Sequence, residues 1–444
     1  MSDALNWTLA TVAAATGGVI DGDPTMPVRA IATDSRIAEP GAVFVALRGE
    51  QHDGHDHAAA AIANGAVAAL VERGTHPDLL PRIDVDDTSV ALRDLAAHRR
   101  SELTMPVVAI TGSTGKTSTK DLLAAAIPGS WASPRSYNNE VGVPLTVLGT
   151  PLNATALIVE VGSRGVGHIR WLMPAILPSV GIITNLGLVH LETFGSRDAI
   201  ADGKWELIEG LSVGGVAILP DGEKRLDRPH PGPTVTFGTG PDASIRISDL
   251  TSDEAGRPSF VLHVDDRAFP LTLRMAGSHN AFNAAAALAA AMSIDVPAQT
   301  AIDGMASATG SAWRMEIRTG SFTVVNDAYN ANPTSMEAAL RTVAAMPGRS
   351  FAVLGEMAEL GPVTVAEHER IGRLEADLGI DAVVTVGPDH GLADAAGGQN
   401  VKDAAEAFGW IRERVGGGDV ILVKASRAVG LEQLAARLVE EATS

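Results

Sequence analysis

The sequence contains no cysteine among its 444 residues. Disulfides, thiolate metal sites and cysteine nucleophiles are thereby excluded, and the composition fits a reducing cytoplasm. Positive charge is scarce: 34 Lys and Arg stand against 53 Asp and Glu, for a formal net charge of -19. Nucleic-acid and anionic-membrane surfaces need net positive faces, so neither is an expected partner, and any anionic ligand must meet a local cluster of donors. No basic n-region followed by an apolar stretch opens the chain, so no signal peptide is expected. Residues 141–159, 171–190 and 275–294 carry no Asp, Glu, Lys or Arg. The first two are broken by Pro and Gly, and the third is Ala-rich with His279, Asn280 and Asn283, so none is a membrane span and a soluble protein is expected. Internal repeats and low-complexity tails are also missing.

What is present is ordinary globular material, 45% apolar and 20% charged, at a length that suggests two or three domains. Residues 1–102 mix short apolar runs (AVFVAL, AVAALV) with turns and end in the helical ALRDLAAHRR. After a break at SELTMP, short runs VVAIT (107–111), LIVEVG (157–162), VGIITN (180–185) and GVAILP (215–220) alternate with helical stretches. Such runs read as parallel strands buried on both faces. Residues 233–275 alternate in SFVLHV and FPLTLRM and predict antiparallel hairpins. An Ala-rich helix is expected at 281–292. Beyond a boundary near 305–315, FTVVND, FAVLGE, AVVTVG and VILVKA predict a second doubly wound unit. The expected fold is α/β in three domains, at 1–102, 103–310 and 311–444. Polar motifs follow directly on these strands, where ligands of open α/β sheets bind.

The most informative motif is TGSTGKT, between VVAIT and a helical pattern. Gly112 and Gly115 let backbone N–H groups of a loop that includes Ser113 and Thr114 turn toward anionic oxygens. Lys116 can reach the outer phosphates, and the Thr117 hydroxyl, followed by Ser118, is placed to ligate Mg²⁺ at a helix N-terminus. The loop is shorter than G-x-x-x-x-G-K-[ST], whose first glycine falls at Ile110. A bound nucleoside triphosphate needs a hard cation held by oxygen ligands. By spacing alone, Glu160 reads as a solvated strand end or a metal ligand, His190 as structural or functional, and Lys204 as a solvated helix lysine.

Taken together, the motifs resemble the Mur ligases, ATP-dependent amide-bond formers of bacterial peptidoglycan synthesis. The resemblance spans nearly the whole chain. It rests on DSRIAEPGAVFVALRGEQHDGHDHAAAAIANGA (34–66), TGSTGKTSTKDLL (111–123), YNNEVGVPLTVL (137–148) and TNLGLVHLETFGSRDAIADGKWEL (184–207). It continues through SHNAFNAAAALA (278–289), WRMEI (313–317), NDAYNANPTSMEAAL (326–340), LGEMAELG (354–361) and VKASRAVGLEQL (423–434). It implies a small α/β domain for the UDP-substrate, a central P-loop parallel-sheet ATPase domain and a Rossmann-like C-terminal domain, in a cytoplasmic bacterial enzyme expected as a monomer. ATP and Mg²⁺ are the implied cofactors. Lys116 and Thr117 would handle the phosphates and metal. Glu160, His190 and Lys204 would join the metal site, the lysine once carbamylated by CO₂. Asn280 and Asn283 would contact the adenine side (helix capping is the other reading of Asn280), Arg314 would clamp phosphates from the hinge, and Asp327 would bind the ribose.

The resemblance also implies the substrates. Asp34, Ser35 and Arg36 would receive the UDP-sugar, with His55 nearby, and Asn138 and Asn139 the muramoyl-peptide. YNANP, with Asn330 and Asn332, lacks the Asn-Pro-Arg signature of the family member that adds a diamino acid. UDP-N-acetylmuramoyl-tripeptide and D-Ala-D-Ala are therefore the expected partners, with Lys424, Ser426 and Arg427 as donors for the dipeptide. The chain departs from the family pattern at Val189-His190, at Gly162-Ser163-Arg164 and at Ala425, where glycine is usual. The last matters if that position needs φ > 0. The implied reaction is γ-phosphoryl transfer to a peptide carboxylate and attack of an amine on the acyl phosphate. The alternatives are a sister ligase adding a different amino acid and a non-catalytic ATP-binding regulator. A dinucleotide-dependent oxidoreductase is excluded because no G-x-G-x-x-G follows a strand.

Overall fold

The computed structural model describes residues 5–49, 52–76, 78–134 and 136–443. Three larger sheets follow one another along the chain. The first has five strands in the order Val19–Asp21, Arg82–Val85, Ala68–Glu72, Ala42–Val45 and Ala30–Ala32. All its pairings are parallel except the first. The Thr88–Glu102 helix, capped by Asp87, leads out of it. One face of this helix joins a continuous core in which Leu70, Leu92 and Leu95 meet Val107, Val159 and Leu172 of the next unit. Buried Arg99 ties the same junction by donating to Thr150 O and pairing with Glu102.

The middle sheet has nine strands, ordered Trp131–Ala132, Leu157–Glu160, Val107–Thr111, Val180–Ile183, Val216–Pro220, Thr234–Gly238, Ile245–Ser252, Pro258–Val264 and Arg267–Thr272. Val107–Thr111 lies between Leu157–Glu160 and Val180–Ile183, parallel to both, and is buried throughout. That explains why it reads as an unbroken apolar run. From it the chain leaves toward one edge, and from Val180–Ile183 toward the other. The two carboxyl ends therefore flank a topological switch point, where a crevice opens.

The hairpin expectation for 233–275 needs correction at its start. Thr234–Gly238 pairs in parallel with Val216–Pro220 and with Ile245–Ser252. The last two residues of one strand match the first two of the next (Phe237↔Ile245, Gly238↔Arg246), so the chain sidesteps without reversing. The two pairings that follow are antiparallel, as alternation in SFVLHV and FPLTLRM implies. Two helices cover one face: Lys116–Ala126 and Asn280–Met292. The second is almost all alanine on its buried positions, and these small side chains let it lie close to both the sheet and the first helix.

The third sheet runs Glu316–Thr319, Thr323–Asn326, Val420–Lys424, Ser350–Gly355, Ala382–Val386 and Gln399–Val401. It is parallel apart from its first hairpin. Helices Pro333–Ala344 and Thr364–Leu378 close one face, and Ala404–Arg412 and Glu432–Thr443 the other. Among the described residues no helix is long and apolar enough to cross a membrane.

Candidate active site

Residues 112–115 leave the buried Val107–Thr111 strand as a tight loop. Gly112 (φ 145°) and Gly115 (φ 79°) are both left-handed. A Cβ would collide with the Thr184 hydroxyl at the first and with Asn283 Oδ1 at the second, so these two positions have neither the torsion nor the room for a side chain. The loop is clasped by the strand end beside it. Ser113 N donates to Asn185 O (3.1 Å), Thr114 N to Asn185 Oδ1 (3.1 Å), and Thr184 Oγ1 to Thr114 O (2.5 Å). The N–H groups of Gly115, Lys116, Thr117 and Ser118 have no acceptor among the described residues. They open the Lys116–Ala126 helix and form an anion cradle at its positive end.

Lys116 Nζ folds back onto Gly112 O at 2.7 Å. Burial lowers its pKa, the Glu160 carboxylate opposes that, and Arg314 adds to it. Thr117 Oγ1 donates to Glu160 Oε2 (2.8 Å) and Asn138 Nδ2 to Glu160 Oε1 (2.8 Å). Glu160 is 1% exposed, so it is not a solvated strand end. Lys204 is likewise not a solvated helix lysine: it is 2% exposed, and among the described residues its ammonium has no hydrogen-bond or ion-pair partner. Burial, aided by Lys116, depresses its pKa well below the ordinary 10.5. His190, at φ 49°, pairs through Nδ1 with Glu359 Oε2 from the third sheet's side. Its pKa is lowered by burial, with Glu359 opposing and Lys116 and Lys204 contributing. Lys116, Lys204, His190 and Arg314 thus share one electrostatic neighbourhood, the local cluster of donors that an anion needs in a chain of net charge -19.

The third unit meets the middle one along this crevice. Ser311 donates to Asp121 Oδ2 through N (3.0 Å) and Oγ (2.6 Å). Arg314 sits between Trp313 (φ 61°) and Met315 (φ 49°), two non-glycine residues in the left-handed region. Its guanidinium lies 3.9 Å from the Tyr329 ring centroid and reaches Ser136 Oγ at 3.2 Å, and among the described residues its buried Nε has no partner. An orphaned buried donor on a flat, stacked cation fits recognition of phosphate oxygens.

The remaining sequence candidates have separate surroundings. Asn280 and Asn283 are buried beneath the loop. Asn280 Nδ2 bonds Ala276 O (2.7 Å), Asn283 Nδ2 bonds Asn280 Oδ1 (2.8 Å), and Thr119 bonds Asn283 Oδ1 (3.3 Å). Asn280 is therefore not the helix cap, a position held by His279. Asp327 and Lys424 form a buried pair (2.5 Å), with Met315 N on the other Asp327 oxygen and Asn330 O on the lysine. Asn332 caps the Pro333–Ala344 helix reciprocally with Ser335. Ser426 Oγ accepts from Ala358 N, and Arg427 pairs with Glu432 and stacks on Trp313. Asn139 Oδ1 accepts from Gly142 N (2.8 Å), a capping role. Ser35 and Arg36 lie in an exposed turn held by Asp34, and no hydrogen bond or ion pair joins them to the phosphate loop among the described residues. His55 uses both ring nitrogens, toward Asp53 and Glu72 N, and is structural. Ala425 is not in the left-handed region; its methyl packs over Gly355, so replacing glycine there costs no strain.

Sequence reading missed Thr184, Asn185, Ser136, Tyr329 and Glu359. TNLGLVH and LGEMAELG both stood out as polar segments after strands, but spacing along the chain does not say which side chain crosses to a neighbouring strand.

Comparison with known proteins agrees with this geometry. The Mur ligase family catalytic domain matches residues 27–100, the Mur ligase middle domain 110–291, and the Mur ligase glutamate ligase domain 313–427. The UDP-N-acetylmuramoyl-tripeptide–D-alanyl-D-alanine ligase of Bacillus subtilis is 34% identical over 434 residues, covering 94% of each chain. That of Mycobacterium tuberculosis is 35% identical over 470 residues, covering 92% of each. A crystal structure of MurF from Acinetobacter baumannii superposes with a TM-score of 0.91 at 31% identity, over 99% of this chain and 100% of that one. MurF ligase from Thermotoga maritima in complex with ADP gives 0.84 at 28%, over 93% and 98%. With a glycine-turned phosphate loop at its switch point and relatives matched nearly end to end, this chain belongs to the Mur ligase family.

Proposed function

We propose that the chain is an ATP-dependent ligase that joins D-alanyl-D-alanine to UDP-N-acetylmuramoyl-tripeptide, giving UDP-N-acetylmuramoyl-pentapeptide, ADP and phosphate in the bacterial cytoplasm. It works as three domains, 1–102, 103–310 and 311–444. The observation that carries this reading is the convergence of free helix-end N–H groups, Lys116, buried Glu160 and unpaired Lys204 on one crevice, in a chain whose named relatives carry out this ligation.

A peptide carboxylate is a poor electrophile. Its oxygen attacks the γ-phosphorus, the bond to ADP breaks, and an acyl phosphate forms. The dipeptide amine then attacks the acyl carbon, loses a proton, and phosphate leaves with the C–O electron pair. The amides of residues 115–118, Lys116 and Arg314 neutralise charge on the transferring phosphoryl. Asn280 and Asp327 flank the base and ribose, Asn138 and Asn139 border the muramoyl-peptide end, and Ser35 and Arg36 receive the UDP moiety. Because Lys424 is held by Asp327 and Asn330, the dipeptide carboxylate first meets the exposed Arg427 and the Asn330 amide, with Ser426 behind them.

The donor set also fits Mg²⁺. Among the described residues no group of three or more His, Asp or Glu forms a ready cage, and Mg²⁺ usually takes one or two carboxylates and completes its shell with phosphates and water. Thr117, Glu160 and His190 would hold it, joined by Lys204 as a carbamate. Burial and the nearby Lys116 depress the Lys204 pKa and so favour the neutral amine, whose nitrogen can attack CO₂ and release a proton. The product turns an unpaired buried base into an oxygen ligand. When bound, the ion would supply positive charge to offset the negative charge developing in phosphoryl transfer.

The test is phosphate release from ATP with UDP-N-acetylmuramoyl-tripeptide, with D-Ala-D-Ala present or omitted, together with the product mass. Release and a pentapeptide product only with the dipeptide is the expected result. Coupling of another amine in its place moves the chain to a sister ligase, and tight ATP binding without turnover favours a regulator.

A further inference from the structure

The pairing of His190 with Glu359 joins two sheets' loops, and nothing in the reaction as derived above uses the glutamate. We propose that Glu359 is a positioning residue: seated by closure of the third domain, it fixes the ring of His190 and its tautomer for the site. The inference rests on the ligase reading for the role of His190, and on the interdomain contacts for the role of Glu359.

Three contacts make the seating specific. Glu192 N donates to Glu359 O at 3.4 Å, immediately beside the His190 pair. Gly361, at φ 58°, lies where a Cβ would come within 3.1 Å of the Glu192 backbone. Val363 packs onto the cluster of Leu188, Leu191, Phe194 and Ile200. A fourth approach reaches the phosphate loop itself: a Cβ on Gly187 would stand 2.7 Å from Thr334 Oγ1 of the third domain, and Gly187 O accepts from Ser113 Oγ. Glycines on both sides thus let the two domains meet at backbone distance around His190.

Chemistry supplies the reason. A carboxylate can only accept, so Nδ1 must carry the proton that faces Glu359. The other ring nitrogen, Nε2, is then bare and free to act toward the site. Without Glu359 the imidazole is free to rotate and to exchange tautomers, and His190 already occupies a left-handed torsion that a neighbouring contact must hold. Domain closure and the readiness of the histidine become one event, so phosphoryl chemistry does not begin on an open site.

The experiment uses the full chain labelled with ¹⁵N-histidine, with the His190 signals assigned from their loss in His190→Gln. Wild type should show a protonated Nδ1 and a bare Nε2, and Glu359→Ala should lose this preference. In turnover, Glu359→Ala should lower kcat about 10- to 100-fold with the KM for ATP unchanged. Glu359→Gln, whose amide oxygen still accepts, should keep the tautomer and most of kcat. An unchanged tautomer in Glu359→Ala, or equal impairment of the Gln and Ala variants, overturns the proposal. The spectra are recorded with a non-hydrolysable ATP analogue bound, so that the domains close without turnover, and a wild type that failed to ligate D-Ala-D-Ala would overturn the function and leave the positioning result readable.

Discussion

Lys204 and Glu375 are the two buried side chains whose charge the fold tolerates least, and they differ in what compensates. Lys204 has no partner among the described residues and lies beside Lys116; carbamylation as proposed above would give it one. Lys204→Met should abolish product formation while stabilising the fold, because a buried amine without a partner costs about 1–3 kcal/mol. The pH dependence follows from the depressed folded pKa. Between that value and 10.5 the unfolded chain holds a proton that the folded chain lacks, so wild-type stability rises with pH across this window. The Met variant should lose that slope in thermal melts. Glu375 is the opposite case: both carboxyl oxygens are buried without hydrogen-bond partners among the described residues, and burial raises its pKa well above 4.5. Here the folded state holds the extra proton, so stability falls as pH rises from 4.5 through the folded value. Glu375→Met should raise the unfolding midpoint at neutral pH and flatten this dependence; an unchanged midpoint would show that the carboxyl is satisfied in solution. Neither burial was legible from sequence, since GKWEL and RLEADL look like solvated helix faces until neighbouring elements cover them.

At the scale of the element, the phosphate loop is the clearest case of local sequence deciding local structure. Its glycines, lysine and threonine stand in the order the chemistry requires, and the shortened spacing changed nothing in the outcome. The pull of the neighbouring strand end, through Thr184 and Asn185, was not visible. Gly115→Ala forces a left-handed alanine, at a cost of about 1–2 kcal/mol, against Asn283. ATP affinity measured calorimetrically should fall about tenfold, with the Asn280–Met292 helix intact. Wild-type affinity in that variant would mean the loop has slack that its contacts do not suggest. The capping of Pro333–Ala344 by Asn332 shows the reverse lesson. A motif asparagine can serve the helix that carries the site, and its place in a signature does not distinguish the two roles.

At the scale of the whole molecule, the strained pair Trp313 and Met315 around Arg314 marks the joint between middle and third domains. Strain of this kind persists only where surrounding contacts hold it, here Ser311 on Asp121 and Arg314 on Ser136. Closure of these two domains would exclude water that otherwise hydrolyses an acyl phosphate. Small-angle scattering should therefore show a smaller radius of gyration with nucleotide and acceptor than without. An unchanged radius would mean that the seated arrangement forms without ligand.

The sequence by itself determined the class of fold, the order of the three α/β units, the buried parallel strands at the centre of the middle and third sheets and the phosphate loop, because these depend on periodicity and on residues adjacent in the chain. Its reading of 233–275 as hairpins failed where two consecutive strands pair in parallel over a two-residue overlap, a matter of register that alternation does not encode. Tertiary structure alone decided that Lys204 and Glu160 are buried, that Asp327 and Lys424 hold each other, and that Glu359 reaches His190. The physical reason is common to all of these. Burial, charge pairing and desolvation are properties of what surrounds a side chain, and those surroundings come from segments distant in sequence that only the packed sheets bring together.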